Sequence, residues 1–181
     1  QCILIHNDLY ISRCPRLSSL ENILKSASLP TVRSIFIEEC LGLSSMRGER
    51  FGELSCLKEL KLSKCPNILW NGLVLPSSLL KLHLEDCGDI SNYIPNCLVN
   101  LENLIRMSLV KLITIRSIPA EIWYDNLLEL QTLEISGCPD LISIGGPEAI
   151  EHIENAFVES CAKLTGLTQP LERCRRPPKS A

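Results

Sequence analysis

The chain has 181 residues, of which 45% are hydrophobic and 4% aromatic, and its formal net charge is −3. This composition predicts a core built mainly from Leu and Ile, and it disfavours both disorder and folds filled by aromatic rings. The acidic balance offers no general attraction for nucleic acid or anionic lipid, and charges or prolines interrupt every apolar run before the roughly 20 residues that a bilayer span needs.

One phrase recurs along the chain in the frame L-x-x-L-x-[LI]-x-x-C-x-x-[LI]. Successive cysteine positions of the frame lie 22 to 26 residues apart, with Leu112 replacing the cysteine in the fifth copy and with a weak seventh copy. A period of about 20 to 29 residues is typical of leucine-rich-repeat solenoids. In chain order, the copies run over 9–17, 32–43, 57–68, 79–90, 104–115, 130–141 and 153–164.

The L-x-L alternation inside each copy predicts a strand with two inward apolar side chains. A single L-x-x-L could equally be an amphipathic helix, but C-P, C-G or a Pro-containing segment soon breaks each copy. We therefore expect an α/β solenoid: a leucine-rich-repeat horseshoe with a parallel concave β-sheet and irregular or short helical convex returns. About seven coils should occupy residues 1–166, open at the N-terminal end, and residues 167–181 should form a polar, basic tail.

Six cysteines recur where each predicted strand ends, which raises three interpretations: a structural ladder, a disulfide framework or a metal site. No C-x-x-C pair occurs, whereas zinc sites usually draw on such pairs. Leu112 can replace one cysteine only if the position serves packing. We expect buried, reduced thiols that donate weak hydrogen bonds to turn carbonyls from one coil to the next. The predicted ladder comprises Cys14, Cys40, Cys65, Cys87, Cys138 and Cys161.

The concave face of a repeat solenoid is its usual binding surface. In each copy, the residue between the two inward positions should project from the centre of that face, and Glu38 and Glu85 should lie in the next column. Exposed aromatic residues near charge are typical of binding hot spots, although two aromatic residues on adjacent strands can also simply cover one another. The predicted protein-binding column is Tyr10, Phe36, Lys61, His83, Ser108, Glu134 and Phe157.

Four stretches carry a resemblance to a known family: LKELKLSKCPNI (57–68), LPSSLLKLHLEDC (75–87), IPNCLVNLENL (94–104) and LQTLEISGCPDL (130–141). They resemble the C-terminal leucine-rich-repeat region of plant nucleotide-binding leucine-rich-repeat disease-resistance proteins, especially the coiled-coil class of cereals. The resemblance implies recognition of a pathogen effector or a guarded host protein, and restraint of a nucleotide-binding switch. The partners would be that protein and the nucleotide-binding domain, and no cofactor is expected in this chain, because ADP or ATP would bind only the domain upstream.

Other classes of protein remain open from the sequence. F-box ubiquitin-ligase adaptors also carry a cysteine ladder, but only CGDISN (87–92) fits their pattern, and extracellular receptor ectodomains would repeat N-x-[LF]-x-G-x-[IL]-P. An enzyme is the least favoured class, since His6, His83 and His152 are scattered without a nucleophile at readable spacing. Reduced cysteines and the lack of N-x-[ST] sequons favour the cytoplasm or nucleus. An extracellular location stays open, because we expect sequence upstream of Gln1.

Overall fold

The computed structural model describes residues 1–25, 31–46 and 51–166, which form one open sheet of eight strands. The strands follow one another across the sheet in chain order. The predicted tail, 167–181, lies outside the described residues. The strands are β1 Cys2–Ile5, β2 Asp8–Ser12, β3 Ser34–Glu38, β4 Glu59–Ser63, β5 Lys81–Glu85, β6 Arg106–Val110, β7 Thr132–Ser136 and β8 Asn155–Glu159.

Strands β2 to β8 pair in parallel, and each contains the L-x-L triplet of one predicted copy or its apolar equivalent. Parallel neighbours cannot be joined by a hairpin, so the chain returns across the sheet between each pair of strands. One strand with its return is called a coil below. The predicted parallel sheet is confirmed, and the chain is a solenoid-like α/β fold.

The core lies between the sheet and the returns. In β4, Leu60 and Leu62 are fully buried while Lys61 between them is half-buried, and the same alternation recurs along the parallel strands. Each such leucine, removed from water, stabilises the fold by about 1.5–3 kcal/mol. Because no coil can bury this face by itself, stability depends on the stacking of neighbours.

Strand β1 was not predicted by the repeat frame. It pairs antiparallel with β2, with Ile3 opposite Tyr10 and Ile5 opposite Asp8. The two residues between the strands, His6 and Asn7, form the turn. In the described structure β2 therefore has a strand on both sides.

The returns contain short helical segments: α1 Glu21–Leu24, α2 Ile94–Leu98, a π-helical turn at Ile122–Asn126 and a 3-10 helix at Pro147–Ile150. Two buried tryptophans tie returns to the next coil. The indole N–H of Trp70 donates to the Cys87 carbonyl at 2.7 Å, and that of Trp123 donates to the Ile144 carbonyl at 2.8 Å. Among the described residues, no helix has the length and hydrophobicity of a bilayer-spanning segment.

Every parallel strand is followed by a residue with left-handed backbone conformation, immediately before the ladder position. After β2 to β7, the N–H of this residue donates to a carbonyl at the end of the next strand: Lys64 to Glu85 at 2.9 Å and Lys111 to Ser136 at 2.8 Å, for example. Only one of these residues is a glycine, although a side chain makes this conformation unfavourable. They are Arg13, Glu39, Lys64, Asp86, Lys111, Gly137 and Ser160, with φ between 44° and 64°.

Candidate protein-binding face

The sheet face that points away from the core carries three rows of side chains, and we call it the open face. The strand pairing keeps each row in register from β2 to β8. The middle row is the predicted binding column, Tyr10, Phe36, Lys61, His83, Ser108, Glu134 and Phe157. The N row, at the start of the strands, is Asp8, Ser34, Glu59, Lys81, Arg106, Thr132 and Asn155. The C row, at their ends, is Ser12, Glu38, Ser63, Glu85, Val110, Ser136 and Glu159.

An aromatic pair lies on β2 and β3, at the N-terminal end of the open face. The rings of Tyr10 and Phe36 are stacked, with centroids 5.0 Å apart and planes 13° from parallel. Tyr10 is nevertheless 42% exposed. Directly opposite residues of an antiparallel pair project on the same side, so Ile3 and Ile5 of β1 extend this patch. The pair is thus both a cross-strand contact and an accessible apolar surface.

Serine hydroxyls hold three carboxylates of the open face in place. Ser63 donates to Glu85 at 2.7 Å, and Ser108 donates to Glu134 at 2.8 Å. Ser136 donates to Glu159 at 3.3 Å. The Ser63 hydrogen bond is the main cause that lowers the pKa of Glu85, and His83 and Lys111 lower it further. Glu38 and Glu85 do not touch one another, because β4 with Ser63 runs between their strands.

Charged side chains at the left-handed positions line the edge beside the C row. Glu39 lies between two cations, 2.9 Å from Arg13 Nε and 3.1 Å from Lys64 Nζ. Hydrogen bonds from Lys64 and then from Arg13 lower the pKa of the Glu39 carboxyl. Lys111 contacts Glu85 at 3.8 Å, not the neighbouring Asp86. The cations Arg13, Lys64 and Lys111 are well exposed while Glu39 and Glu85 are half-buried, so solvent screens these ion pairs and they contribute little to stability.

The predicted ladder cysteines stack behind this edge. Each hydrogen bond runs mainly to the last strand residue of the same coil, whereas we expected acceptors in the neighbouring coil. Cys65 Sγ donates to the Ser63 carbonyl at 3.3 Å; Cys138 Sγ donates to Ser136 at 3.6 Å and reaches Leu109 of the preceding coil at 3.8 Å. All described cysteines are free thiols. Cys40, Cys65, Cys87 and Cys138 are buried, and Cys14 and Cys161, in the terminal coils, are half-buried.

Burial controls the chemistry of these thiols. It raises the pKa of Cys65 and of Cys138 to about 11, and it raises the pKa of Cys40 and Cys87 as well. Leu112 occupies the equivalent position and is 1% exposed. A role in packing explains how a thiol and an isobutyl group can serve the same position.

Thiol labelling tests the burial of the ladder. In the native protein we expect Cys65 to react with iodoacetamide at pH 8 roughly two orders of magnitude more slowly than the exposed Cys56, since the reagent needs an accessible thiolate. Mass spectrometry of the labelled peptides gives both rates. Cys65→Ser should destabilise the fold by about 1–3 kcal/mol, because it places a more polar group in a packed turn, and Cys56→Ser should have little effect. Equal labelling rates at the two positions would disprove the buried ladder.

The repeat frame did not identify some residues of the open face. Ile3 and Ile5 precede the first repeat, so an alignment on L-x-x-L could not include them, although their apolar alternation was readable. Lys81 and Arg106 start their strands one step outside the L-x-L triplet. The frame identified the middle row and, in the C row, only Glu38 and Glu85, because it was anchored on the inward leucines.

Among the described residues, no group of three or more His, Cys, Asp or Glu side chains is arranged to hold a metal ion. Comparison of the chain with protein-family models and with curated proteins finds no match. The open face thus combines an aromatic end, carboxylates held by serine hydroxyls and exposed cations.

Proposed function

We propose that this chain is a leucine-rich-repeat recognition module of an intracellular plant immune receptor of the nucleotide-binding leucine-rich-repeat class. Its open face, the concave face of such an array, binds a pathogen effector or a guarded host protein. The four stretches that resemble this class coincide with β4, β5, α2 and β7 and the segments beside them. The accessible Tyr10–Phe36 stack is the observation that carries the binding role.

The physical case rests on what the aromatic pair offers a partner. Aromatic side chains bury a large area while losing little conformational entropy, and they dominate binding hot spots. Their mutual stacking holds both rings in place before a partner arrives, so less freedom is lost on binding. Glu38 and Lys61 lie beside the rings in the C row and the middle row, and they supply charges that can reject wrong partners.

In this proposal the array also restrains a nucleotide-binding domain elsewhere in the receptor, and ADP or ATP binds that domain. Recognition on the open face would change the contacts between the array and that domain. A ligand shifts such an equilibrium only by its difference in affinity for the two states. The receptor would act in the cytoplasm or nucleus, where thiols such as Cys65 stay reduced.

The double change Tyr10→Ala with Phe36→Ala tests the binding role. We expect it to abolish effector-dependent cell death when the receptor polypeptide that contains this chain is expressed in leaves with the matching effector. The stacked pair contributes roughly 1 kcal/mol to the fold, so the protein should stay folded. Urea denaturation of the purified chain measures that stability.

Tyr124→Ala is the matched control. Tyr124 is also an exposed aromatic residue, 47% accessible, but it lies on a return and donates its hydroxyl to the Glu148 carbonyl at 2.8 Å. We expect this variant to keep full recognition. If the Tyr10/Phe36 variant folds and triggers cell death at the wild-type level, the aromatic end is not the binding site.

A further inference from the structure

A cleft of about 210 Å³ opens on the open face between β4 and β7. It lies in the N and middle rows, away from the aromatic pair. Its polar side chains come from four neighbouring strands. They are Glu59, Lys81, His83, Arg106, Ser108, Thr132 and Glu134.

Two cations on adjacent strands line this cleft. Lys81 and Arg106 are directly opposite residues of β5 and β6, a pairing in which like charges repel. Lys81 has a counter-ion, with its ammonium 3.5 Å from a Glu59 carboxylate oxygen. Arg106 is exposed and forms no ion pair with any residue in the part of the chain that the structure describes. The sheet therefore holds a guanidinium beside another cation without neutralising it.

The remaining groups of the cleft do not supply the missing anion. The carboxylate of Glu134 accepts a hydrogen bond from the Ser108 hydroxyl at 2.8 Å. The Nε2 atom of His83 is buried and has no hydrogen-bond partner among the described residues, and the nearest carboxylate oxygen, on Glu85, is 3.7 Å away. In the described structure the Arg106 guanidinium therefore remains on the cleft without a counter-ion, whereas His83 Nε2 is buried on the side of Glu85.

We propose that this cleft binds a carboxylate side chain of the protein partner, so that the recognised segment is acidic. Arg106 holds the carboxylate through two parallel N–H donors, a geometry that Lys cannot provide. Lys81, the neighbour of Arg106 across the strand pair, adds a second positive charge. This inference rests on the proposed function, because it names the partner's chemistry on the same face.

The position of the cleft also restricts the shape of the partner. Arg106 lies three strands beyond Phe36, a separation of about 14 Å along the sheet. A partner that covers the aromatic pair and fills the cleft therefore presents an apolar side chain and a carboxylate about that far apart. An extended segment spans this distance in four or five residues.

Two small probes test the cleft without a partner. N-acetylaspartate amide carries the carboxylate, and N-acetylasparagine amide is its neutral isostere. We expect the aspartate probe to shift the NMR signals of the Arg106 side-chain N–H and the Thr132 amide at millimolar concentrations, with at least about tenfold weaker binding of the asparagine probe. Equal shifts with the two probes would overturn the proposal.

Substitutions of Arg106 provide a second test of the cleft. Arg106→Gln should abolish the response to the aspartate probe, and Arg106→Lys should weaken it severalfold because the two-pronged geometry is lost. Arg33→Gln, an exposed arginine outside the cleft, is the matched control and should leave the response unchanged. Arg106→Gln should also leave the urea midpoint unchanged or raise it, since it removes a repulsion. A lower midpoint, or binding retained in Arg106→Gln, would contradict the inference.

The cell-death assay separates this inference from the proposed function. We expect Arg106→Gln to reduce recognition at least about tenfold in effector dose, while Arg33→Gln keeps it. If the Tyr10/Phe36 variant loses recognition and Arg106→Gln retains all of it, the binding face stands and the carboxylate site is wrong. If neither variant changes recognition, the proposed function fails together with the inference.

Discussion

Leu60→Ala is expected to lower the free energy of unfolding by about 2–5 kcal/mol. Leu60 is fully buried in β4, and its neighbours across the sheet are Ile35 of β3 and Leu82 of β5. Removal of three carbons leaves a cavity that the backbone cannot close, because hydrogen bonds to both adjacent strands fix it. Urea denaturation monitored by the fluorescence of the buried Trp70 and Trp123 measures the change.

The adjacent residue provides the control for this prediction. Lys61→Ala removes a longer side chain from the same strand, but on the open face, and we expect a change within about 0.5 kcal/mol. A loss as large as that of Leu60→Ala would mean that the open face contributes to the core. The comparison therefore tests the assignment of the two faces of the sheet.

Gly88→Ala should be comparably damaging, with a loss of about 2–5 kcal/mol. About 1–2 kcal/mol comes from the left-handed backbone of Gly88, at φ 86°, which disfavours any side chain. About 1–3 kcal/mol more comes from steric overlap, because the new Cβ would collide with the carbonyl oxygen of Ile68 in the preceding coil. The same denaturation experiment measures this change.

Gly72→Ala separates the two contributions. Gly72 has a similar left-handed conformation, at φ 70°, but a Cβ there would have no heavy atom within 4 Å. Only the backbone contribution should appear, about 1–2 kcal/mol. If the two alanine variants were equally stable, close contact between coils at Gly88 would not be a source of stability.

The aromatic end shows how far sequence reasoning could go. Tyr10 and Phe36 occupy the same position of consecutive repeats, so the frame predicted them as neighbours, and the structure confirms a stacked pair. The frame could not predict that Ile3 joins them, because β1 turns back antiparallel and belongs to no repeat. That pairing depends on a turn at His6 and Asn7, and no glycine marks it in the sequence.

The ion pairs could be predicted from the sequence only in part. Charge alternates in sign at Glu39, Lys64, Asp86 and Lys111, a pattern that by itself would favour pairing along a single column. Lys64 does contact Glu39, but Lys111 contacts Glu85 in the neighbouring row. Long side chains reach several carboxylates at once, so small shifts between coils decide which contact forms.

The sequence by itself determined the period of the repeat, the inward rows of leucine and isoleucine, the parallel order of the strands and the members of the middle row. These follow from a spacing that every coil must keep if its apolar face is to be buried by its neighbours. Only the tertiary structure decided the left-handed turns at charged residues such as Lys64 and Lys111, and the like-charged pair of Lys81 and Arg106. The physical reason is that these features arise between coils. The N–H of each such residue donates to a carbonyl of the next strand, which holds a backbone conformation that the residue itself disfavours, and the register sets cations from separate repeats side by side.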